Sequence, residues 1–293
     1  MYTADRTSEA RSPNFLVIGA MKSGTTSLYH YLRAHPEIYM PDLKEVDYFT
    51  SELNWGKGRH WYARQFASAS PSERMLGEAS TSYTKYPRYQ GVAKRIAEHL
   101  PDVKLIYIVR DPIDRMRSHY QHNAVLGEEN ASIDDALLTN PSYLDCSRYA
   151  MQIEHYLDHF ARDQVLIFSS EDLRHARAST IQRVFQFLGV DPNADISNLA
   201  EEFYKTEERP AMPSPVAAVR RVLKRAFPGS VGLWRGRFVP GSVKGKLGRK
   251  VGVEAVTSTT ISHETRKRLE EALRKDVVRL RELEPSLDGW GLD

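Results

Sequence analysis

The chain has 293 residues, 41% hydrophobic and 27% charged, with a net charge of +3. That composition belongs to a globular protein large enough to bury a full core, and so small a net charge gives no ground for a nucleic-acid partner. The single cysteine, Cys146, excludes an internal disulfide and a cysteine-built zinc site; with no nucleophile motif around it, it reads as a small buried apolar residue. No apolar run reaches the ~20 residues of a membrane-spanning helix, and Met1 to Ser12 lack the apolar stretch of a secretory signal. The expectation is a disordered tail over residues 1–12, no transmembrane segment, and a cytoplasmic protein.

Phe15 to Gly19 is a short apolar run ending in glycine, the pattern of a buried parallel strand. Thr26 to His35 follows with Leu28, Tyr31 and Leu32 on one helical face, and His35-Pro36 ends it. Trp61 to Phe66 predicts a helix, Arg74 to Ser80 a strand, and Pro87 to His99 a helix with Val92, Ile96 and Leu100 aligned. Lys104 to Val109 is the strongest strand signal. Arg115 to Val125 and Tyr149 to Phe160 predict helices, Gln164 to Phe168 a strand, and Ala178 to Leu188 a helix stopped by Gly189. Strands alternating with helices predict an α/β fold, a P-loop-like parallel sheet with helices on both faces in a single domain. Pro210 to Pro240 is rich in Pro and Gly. From Ser262, a natural cap, to Leu283 a helix carries the stripe Leu269, Leu273, Val277, Leu280 and Leu283.

Gly19-Ala-Met-Lys22-Ser23-Gly24-Thr25-Thr26-Ser27 lies between the first strand and the first helix. Backbone N–H groups at a helix start point at an anion, and the helix dipole favours it. Gly19 and Gly24 permit the tight turn, and Ser23, Thr25, Thr26 and Ser27 add hydroxyls. Hydroxyls also cap ordinary helices; the lysine inside the turn, directly after a buried strand, marks a phosphate cradle. Gly19 and Gly24 keep the glycine spacing of the triphosphatase loop, but Thr25 stands at its lysine position and the lysine has moved to 22. No strand ends in an aspartate suited to magnesium. Arg110 instead follows Val109 at the end of a central strand, and Ser118 lies eight residues on, about two helical turns away. Arg110 can pair with Asp111 or Asp114, yet beside the first loop it makes a second anion site.

The loop Lys22 to Ser27, with Ile108-Val-Arg110-Asp-Pro-Ile-Asp-Arg-Met-Arg-Ser118-His-Tyr120, resembles the two nucleotide motifs of the sulfotransferases. Lys44-Glu45-Val-Asp-Tyr-Phe49, Ser147-Arg-Tyr149-Ala and Gln164 to Gly189 are similar to the heparan sulfate sulfotransferase branch. Glu264 to Leu283 with Trp290 is similar to the closing helix of bacterial members. The resemblance covers most of the chain except about Pro210 to Thr260. It implies a sulfotransferase domain over residues 13–293 that uses 3′-phosphoadenosine 5′-phosphosulfate (PAPS) and no metal. The first loop would hold the 5′-phosphosulfate, and Arg110 and Ser118 the 3′-phosphate.

Sulfuryl transfer leaves negative charge on the bridging oxygen and takes a proton from the acceptor. Lys22 is the candidate for the first task. The resemblance implies Glu45 as the base, and partial burial would raise its pKa. Without the resemblance, Glu45 reads as an acid in a charged surface loop. His30, His35 and His119 are rival bases, none in a matching motif. Lys44 is expected at the donor or acceptor. Ser80 and Ser82, in a segment that departs from the branch's Lys-Thr-Pro or Lys-Ser pattern, are expected at a small-molecule or glycan acceptor. Phe203, Tyr204, Lys205 and Arg209 are a loose match to the adenine and 3′-phosphate contacts. From Arg209 to Val253 there are eleven Lys or Arg and no acid. That stretch fits solvated loops and a basic helix, or a positive wall; within 209–260 it would form a lid, or a contact for a membrane surface or anionic acceptor. The alternatives are a small-molecule kinase using ATP and magnesium, and a non-enzymatic binding protein.

Overall fold

Five parallel strands form one sheet in the order β2-β3-β1-β4-β5: β1 Phe15–Gly19, β2 Ile38–Tyr39, β3 Met75–Ala79, β4 Lys104–Val109 and β5 Val165–Ser169. This is a computed structural model, and it describes residues 11–196, 199, 259–287 and 290. β1, and β4 after Lys104, are apolar because each has two buried faces. Leu16 and Ile18 of β1, Leu105, Tyr107 and Val109 of β4, and Val165 and Ile167 of β5 join one core cluster; Phe15, Val17, Ile106, Ile108 and Phe168 join the other.

Ten helices are described: α1 Thr25–Arg33, α2 Gly58–Ala63, α3 Val92–His99, α4 Pro112–Val125, α5 Ile133–Thr139, α6 Pro141–Asp145, α7 Tyr149–Leu157, α8 Ser170–His175, α9 Arg177–Leu188 and α10 His263–Leu283. Leu28, Tyr31 and Leu32 of α1, and Ile181, Val184, Phe185 and Leu188 of α9, cover one face of the sheet. Residues of α3, α4, α7 and α10 cover the other. The predicted α/β sheet with helices on both faces is therefore the observed fold.

Differences in detail have local causes. The helix expected from Pro87 starts at Val92, after Gly91 adopts a left-handed φ of 68°. The helix expected from Arg115 starts at Pro112, because Asp111 caps it by accepting from Asp114 N at 2.7 Å. The helix expected over Trp61 to Phe66 is α2 followed by a 3₁₀ turn at Arg64–Phe66. The short β2, α5, α6 and α8 carry too few residues for periodicity to announce them. Within the expected tail, Arg11 donates to Ser70 O at 2.9 Å and Glu73 O at 2.5 Å. Ser262 caps α10 through Thr265 N (3.2 Å), and Leu269, Leu273, Val277 and Leu280 are buried as the stripe required. Cys146 is buried. Among the described residues no helix is long and apolar enough to cross a membrane.

Candidate active site

The strand order places β1 beside β4, and the chain leaves them in opposite directions across the sheet. Open α/β sheets bind ligands at such a crevice, beyond the carboxyl ends of the strands. β1 ends at Gly19, which no other residue can replace without a clash: a Cβ there would lie 2.0 Å from Thr84 Oγ1. Thr84 Oγ1 donates to Ile18 O (2.9 Å), Ala20 N to Ile108 O (2.6 Å) and Ser23 N to Ala20 O (3.2 Å), so the turn is pinned to β4 and to the segment after β3. Lys22 (φ 70°) and Gly24 (φ 98°) are both left-handed, and Gly24 precedes α1. No side chain caps α1 and its first turn holds no acid, so the N–H groups of that turn keep their affinity for an anion. Ser23 Oγ is buried and makes no hydrogen bond. It faces the Tyr149 phenol, equally buried and close enough for the two hydroxyls to act on one another. A buried hydroxyl left unsatisfied beside an uncapped helix start is a fit for phosphate oxygen.

β4 delivers Arg110 to the same edge. Its Nη1 reaches the Lys22 carbonyl at 3.5 Å, and Asp114 lies 3.9 Å from its Nη2. The pairing with Asp114 is loose, because Asp114 binds Arg117 at 2.7 Å. Two turns along α4, Ser118 is buried on the same helix. Arg115, wholly buried, ties α4 down by donating to Ser147 Oγ (2.6 Å) and Tyr143 O (2.6 Å).

Lys44 and Glu45 follow β2 and lie against the end of β3. Glu45 N donates to Ala79 O at 3.0 Å. The Glu45 carboxylate accepts from Thr81 N (2.8 Å), Thr81 Oγ1 (2.9 Å) and Lys44 Nζ (2.5 Å). This corrects the expectation of a raised pKa. Burial does push the carboxyl up and is the largest single influence. The charge and hydrogen bond of Lys44, the charge of Lys85 and the Thr81 N–H together outweigh it, holding Glu45 at about 2.

Ser80 and Ser82 also differ from expectation. Both are buried and spent inside the protein: Ser80 Oγ donates to Glu78 and accepts from Asp47 N (2.9 Å), while Ser82 Oγ donates to Asp47 Oδ1 (2.6 Å) and meets Thr50 Oγ1 (2.9 Å). They hold the segment that carries Glu45 instead of facing an acceptor. Of the rival bases, His35 is a structural residue bound to Asp191 O (3.0 Å) and Glu37 N (3.1 Å) and packed on Phe185. His30 lies on α1 with its ring edge against Tyr29. His119 is buried, and desolvation first, then the charges of Arg115, Lys85 and Lys22 among others, hold its pKa well below 6.5, so it is neutral. Phe203, Tyr204, Lys205, Arg209 and the basic stretch 209–253 lie outside the described residues.

Lys85, Tyr149 and Glu78 belong to the site although motif reading assigned them no role. Lys85 ends the 3₁₀ turn Thr81–Thr84, close enough to act on both Glu45 and His119. An acid inside an otherwise apolar strand was the one available signal for Glu78.

A parallel sheet with a left-handed turn and an uncapped helix start after its first strand, and an arginine and a serine after the adjacent one, is the frame of a nucleotide-binding α/β protein. Residues 12–213 match the sulfotransferase domain family, and the chain belongs to that family. That membership argues against the kinase alternative. The chain is 34% identical over 205 residues to bifunctional heparan sulfate N-deacetylase/N-sulfotransferase 4 of Mus musculus, covering 63% of this chain and 23% of that protein. It is 38% identical over 122 residues to the membrane-associated sulfotransferase kil1 of Dictyostelium discoideum, covering 41% and 25%. The matches thus span about a quarter of these relatives' length. Among solved structures, a sulfotransferase of Alicyclobacillus acidocaldarius superposes with a TM-score of 0.59 at 28% identity, over 77% of this chain and 99% of that one. Mouse sulfotransferase SULT7A1, complexed with PAP, shares the fold at 14% identity and a TM-score of 0.50, over 94% and 88%.

Proposed function

We propose that this chain transfers a sulfuryl group from PAPS to a hydroxyl of a glycan, glycolipid or small metabolite, with Glu45 as the base and Lys22 at the leaving phosphate. The observation that carries the reading is the junction of the two anion-binding elements. Arg110 touches the Lys22 carbonyl, and the unsatisfied Ser23 hydroxyl lies in the same turn. A donor with phosphate groups at two places fits that pair better than a single phosphate does.

When bound, PAPS would supply the sulfuryl group and leave as 3′,5′-diphosphoadenosine, its 5′-phosphate keeping the bridging oxygen. Residues Lys22 to Ser27 then hold its 5′ end with backbone N–H groups and hydroxyls, and the Lys22 ammonium offsets the charge that grows on the bridging oxygen. Arg110 and Ser118 hold the 3′-phosphate, while Phe203, Tyr204, Lys205 and Arg209 belong to the adenine end. The basic stretch 209–253 is the proposed lid or acceptor-facing surface. Glu45 receives the acceptor's proton. At about 2 it is fully ionised at neutral pH but a weak base. Drawing Lys44 onto an anionic group of donor or acceptor would remove the nearest cation and leave burial to raise the carboxyl, so the base strengthens as the ligands assemble. A second base, His119, is favoured by its neutral state close to Lys22 and Lys85.

The test combines binding with turnover. Lys22→Ala and Arg110→Ala should each weaken 3′,5′-diphosphoadenosine binding about 10- to 100-fold, as lost charge-assisted hydrogen bonds do. With labelled PAPS and an extract of the native cell as acceptor source, Glu45→Gln should lower transfer about 10²- to 10⁴-fold and keep diphosphoadenosine affinity. Full transfer by Glu45→Gln, with a loss in His119→Asn, would move the base to His119.

A further inference from the structure

Glu78 sits on β3 with no exposed surface, and three hydroxyls surround its carboxylate. Oε1 accepts from Tyr83 OH (2.5 Å) and Tyr62 OH (3.2 Å), and Oε2 accepts from Ser80 Oγ. Two of the three hydroxyls continue outward. Asp47 N donates to Ser80 Oγ at 2.9 Å and Phe49 N to Tyr83 OH at 3.4 Å. Glu78 therefore stands one hydroxyl away from two backbone N–H groups of the segment that starts at Glu45.

That segment needs such support. Glu45 (φ 61°) and Asp47 (φ 53°) are both left-handed without being glycine, at about 1–2 kcal/mol each. Val46 between them is buried in the core, and its carbonyl is held by Asn54 Nδ2 at 2.7 Å. A backbone of this kind keeps its shape only while its surroundings over-determine it. The Thr81 and Lys44 contacts of the Glu45 carboxylate all depend on that shape.

The chemistry of a carboxylate explains why Glu stands at 78. An ionised carboxylate has no proton to give, so Ser80 and Tyr83 must both donate to it, and their lone pairs turn toward Asp47 N–H and Phe49 N–H. One buried acid thereby fixes the direction of two relays. Burying it is unfavourable: desolvation, with the nearby Asp47 charge, pushes Glu78 up to about 7 against the pull of the three hydroxyls. A core packed by apolar residues at this position would be simpler, unless the relays serve the site.

We infer that Glu78 is a positioning residue for sulfuryl transfer: acting through the Ser80 and Tyr83 hydroxyls, it fixes the 45–49 segment and hence the place of the Glu45 carboxylate. The inference rests on the reading of Glu45 as base, but its test reads where Glu45 is held, not what it does.

Glutamine at 78 is isosteric yet reverses one relay. With its carbonyl toward the tyrosines its amide donates to Ser80; flipped, it donates to Tyr83. Either way one hydroxyl proton is driven toward the N–H it should accept from. The experiment is carboxyl ¹³C NMR of the full chain labelled at glutamate Cδ, with the Glu45 signal assigned by its loss in Glu45→Gln. At pH 8.5, where Glu78 is ionised, the wild-type Glu45 signal should be that of a carboxylate held by Lys44 and Thr81, apart from the position of a solvated glutamate. In Glu78→Gln, Ser80→Ala and Tyr83→Phe it should move to the position of a solvated glutamate carboxylate, as the Lys44 and Thr81 contacts are lost. Tyr62→Phe is the control. It removes a hydroxyl from the same carboxylate but no relay, so it should lower the melting temperature and leave the Glu45 signal in place. A Glu45 signal unmoved at pH 8.5 in Glu78→Gln and Ser80→Ala would overturn the inference, as would an equal displacement in Tyr62→Phe. Transfer by Glu45→Gln, measured separately, decides the base reading on its own.

Discussion

Replacing Glu45 by glutamine removes the charge on which both the proposed chemistry and a local ion pair depend, and its effect on stability can be worked out from the site. The folded carboxyl is held at about 2 against an ordinary 4.5. At about 1.4 kcal/mol per pH unit, its ionised form favours the folded state by about 3 kcal/mol at neutral pH. Only 15% of the side chain is exposed, so solvent screening trims this modestly. Because the folded value lies below the unfolded one, the contribution is whole above 4.5. It is lost as the pH falls toward 2, with the unfolded chain taking up the proton first. Between pH 7 and pH 3.5 the loss comes to about 1 kcal/mol. Glutamine keeps a carbonyl for Thr81 N but brings no charge to Lys44, so Glu45→Gln should be less stable than wild type at pH 7, and the gap should narrow by that amount at pH 3.5. Urea unfolding of both proteins at pH 7, 5 and 3.5 measures it, and other acids cancel in the difference. A gap that stays constant over this range would refute the strong coupling of Glu45 to Lys44, Lys85 and Thr81.

Lys85→Ala should weaken the hold on Glu45 and move the acid limb of kcat/KM to higher pH, with diphosphoadenosine affinity retained; a pH–rate profile reads the shift. Gly19→Ala should destabilise the fold by about 2 kcal/mol or more, since a Cβ there would lie 2.0 Å from Thr84 Oγ1. Thr84→Ala in the same chain should recover part of that loss in thermal unfolding. Asp276 on α10 accepts from Ala150 N (3.0 Å) and Met151 N (2.9 Å), capping α7 from another helix. Asp276→Ala should therefore cost about 1–2 kcal/mol in chemical unfolding at pH 8. Burial pushes its carboxyl up to about 6, above the unfolded value, despite those N–H groups, so the folded wild type takes up the proton first and the penalty should grow as the pH falls below 6.

Much of the architecture was legible in the chain. Alternating residues of the runs from Phe15 and Lys104 divide cleanly between the two core clusters, because a strand with period two and two buried faces must be apolar at every position. The places of the turn from Lys22 to Ser27 and of Arg110 and Ser118 were equally readable, since a strand end and a helix start follow from local order. Ten or more residues of periodicity made α10 plain, whereas α5, α6 and α8 were too short to register.

What the sequence determined by itself was the sheet, the turn that follows its first strand and the place of Arg110 at the end of β4, all of them properties of local chain order and spacing. Tertiary structure alone decided the electrostatics of Glu45 and the duties of Ser80 and Ser82. The partners concerned come from separate segments: Lys85 and Thr81 act on Glu45 from beyond β3, and Asp47 takes Ser80 from 33 residues upstream. Burial taken alone predicts a raised carboxyl. Only folding brings two lysines and a backbone N–H around it, and their combined pull reverses the sign.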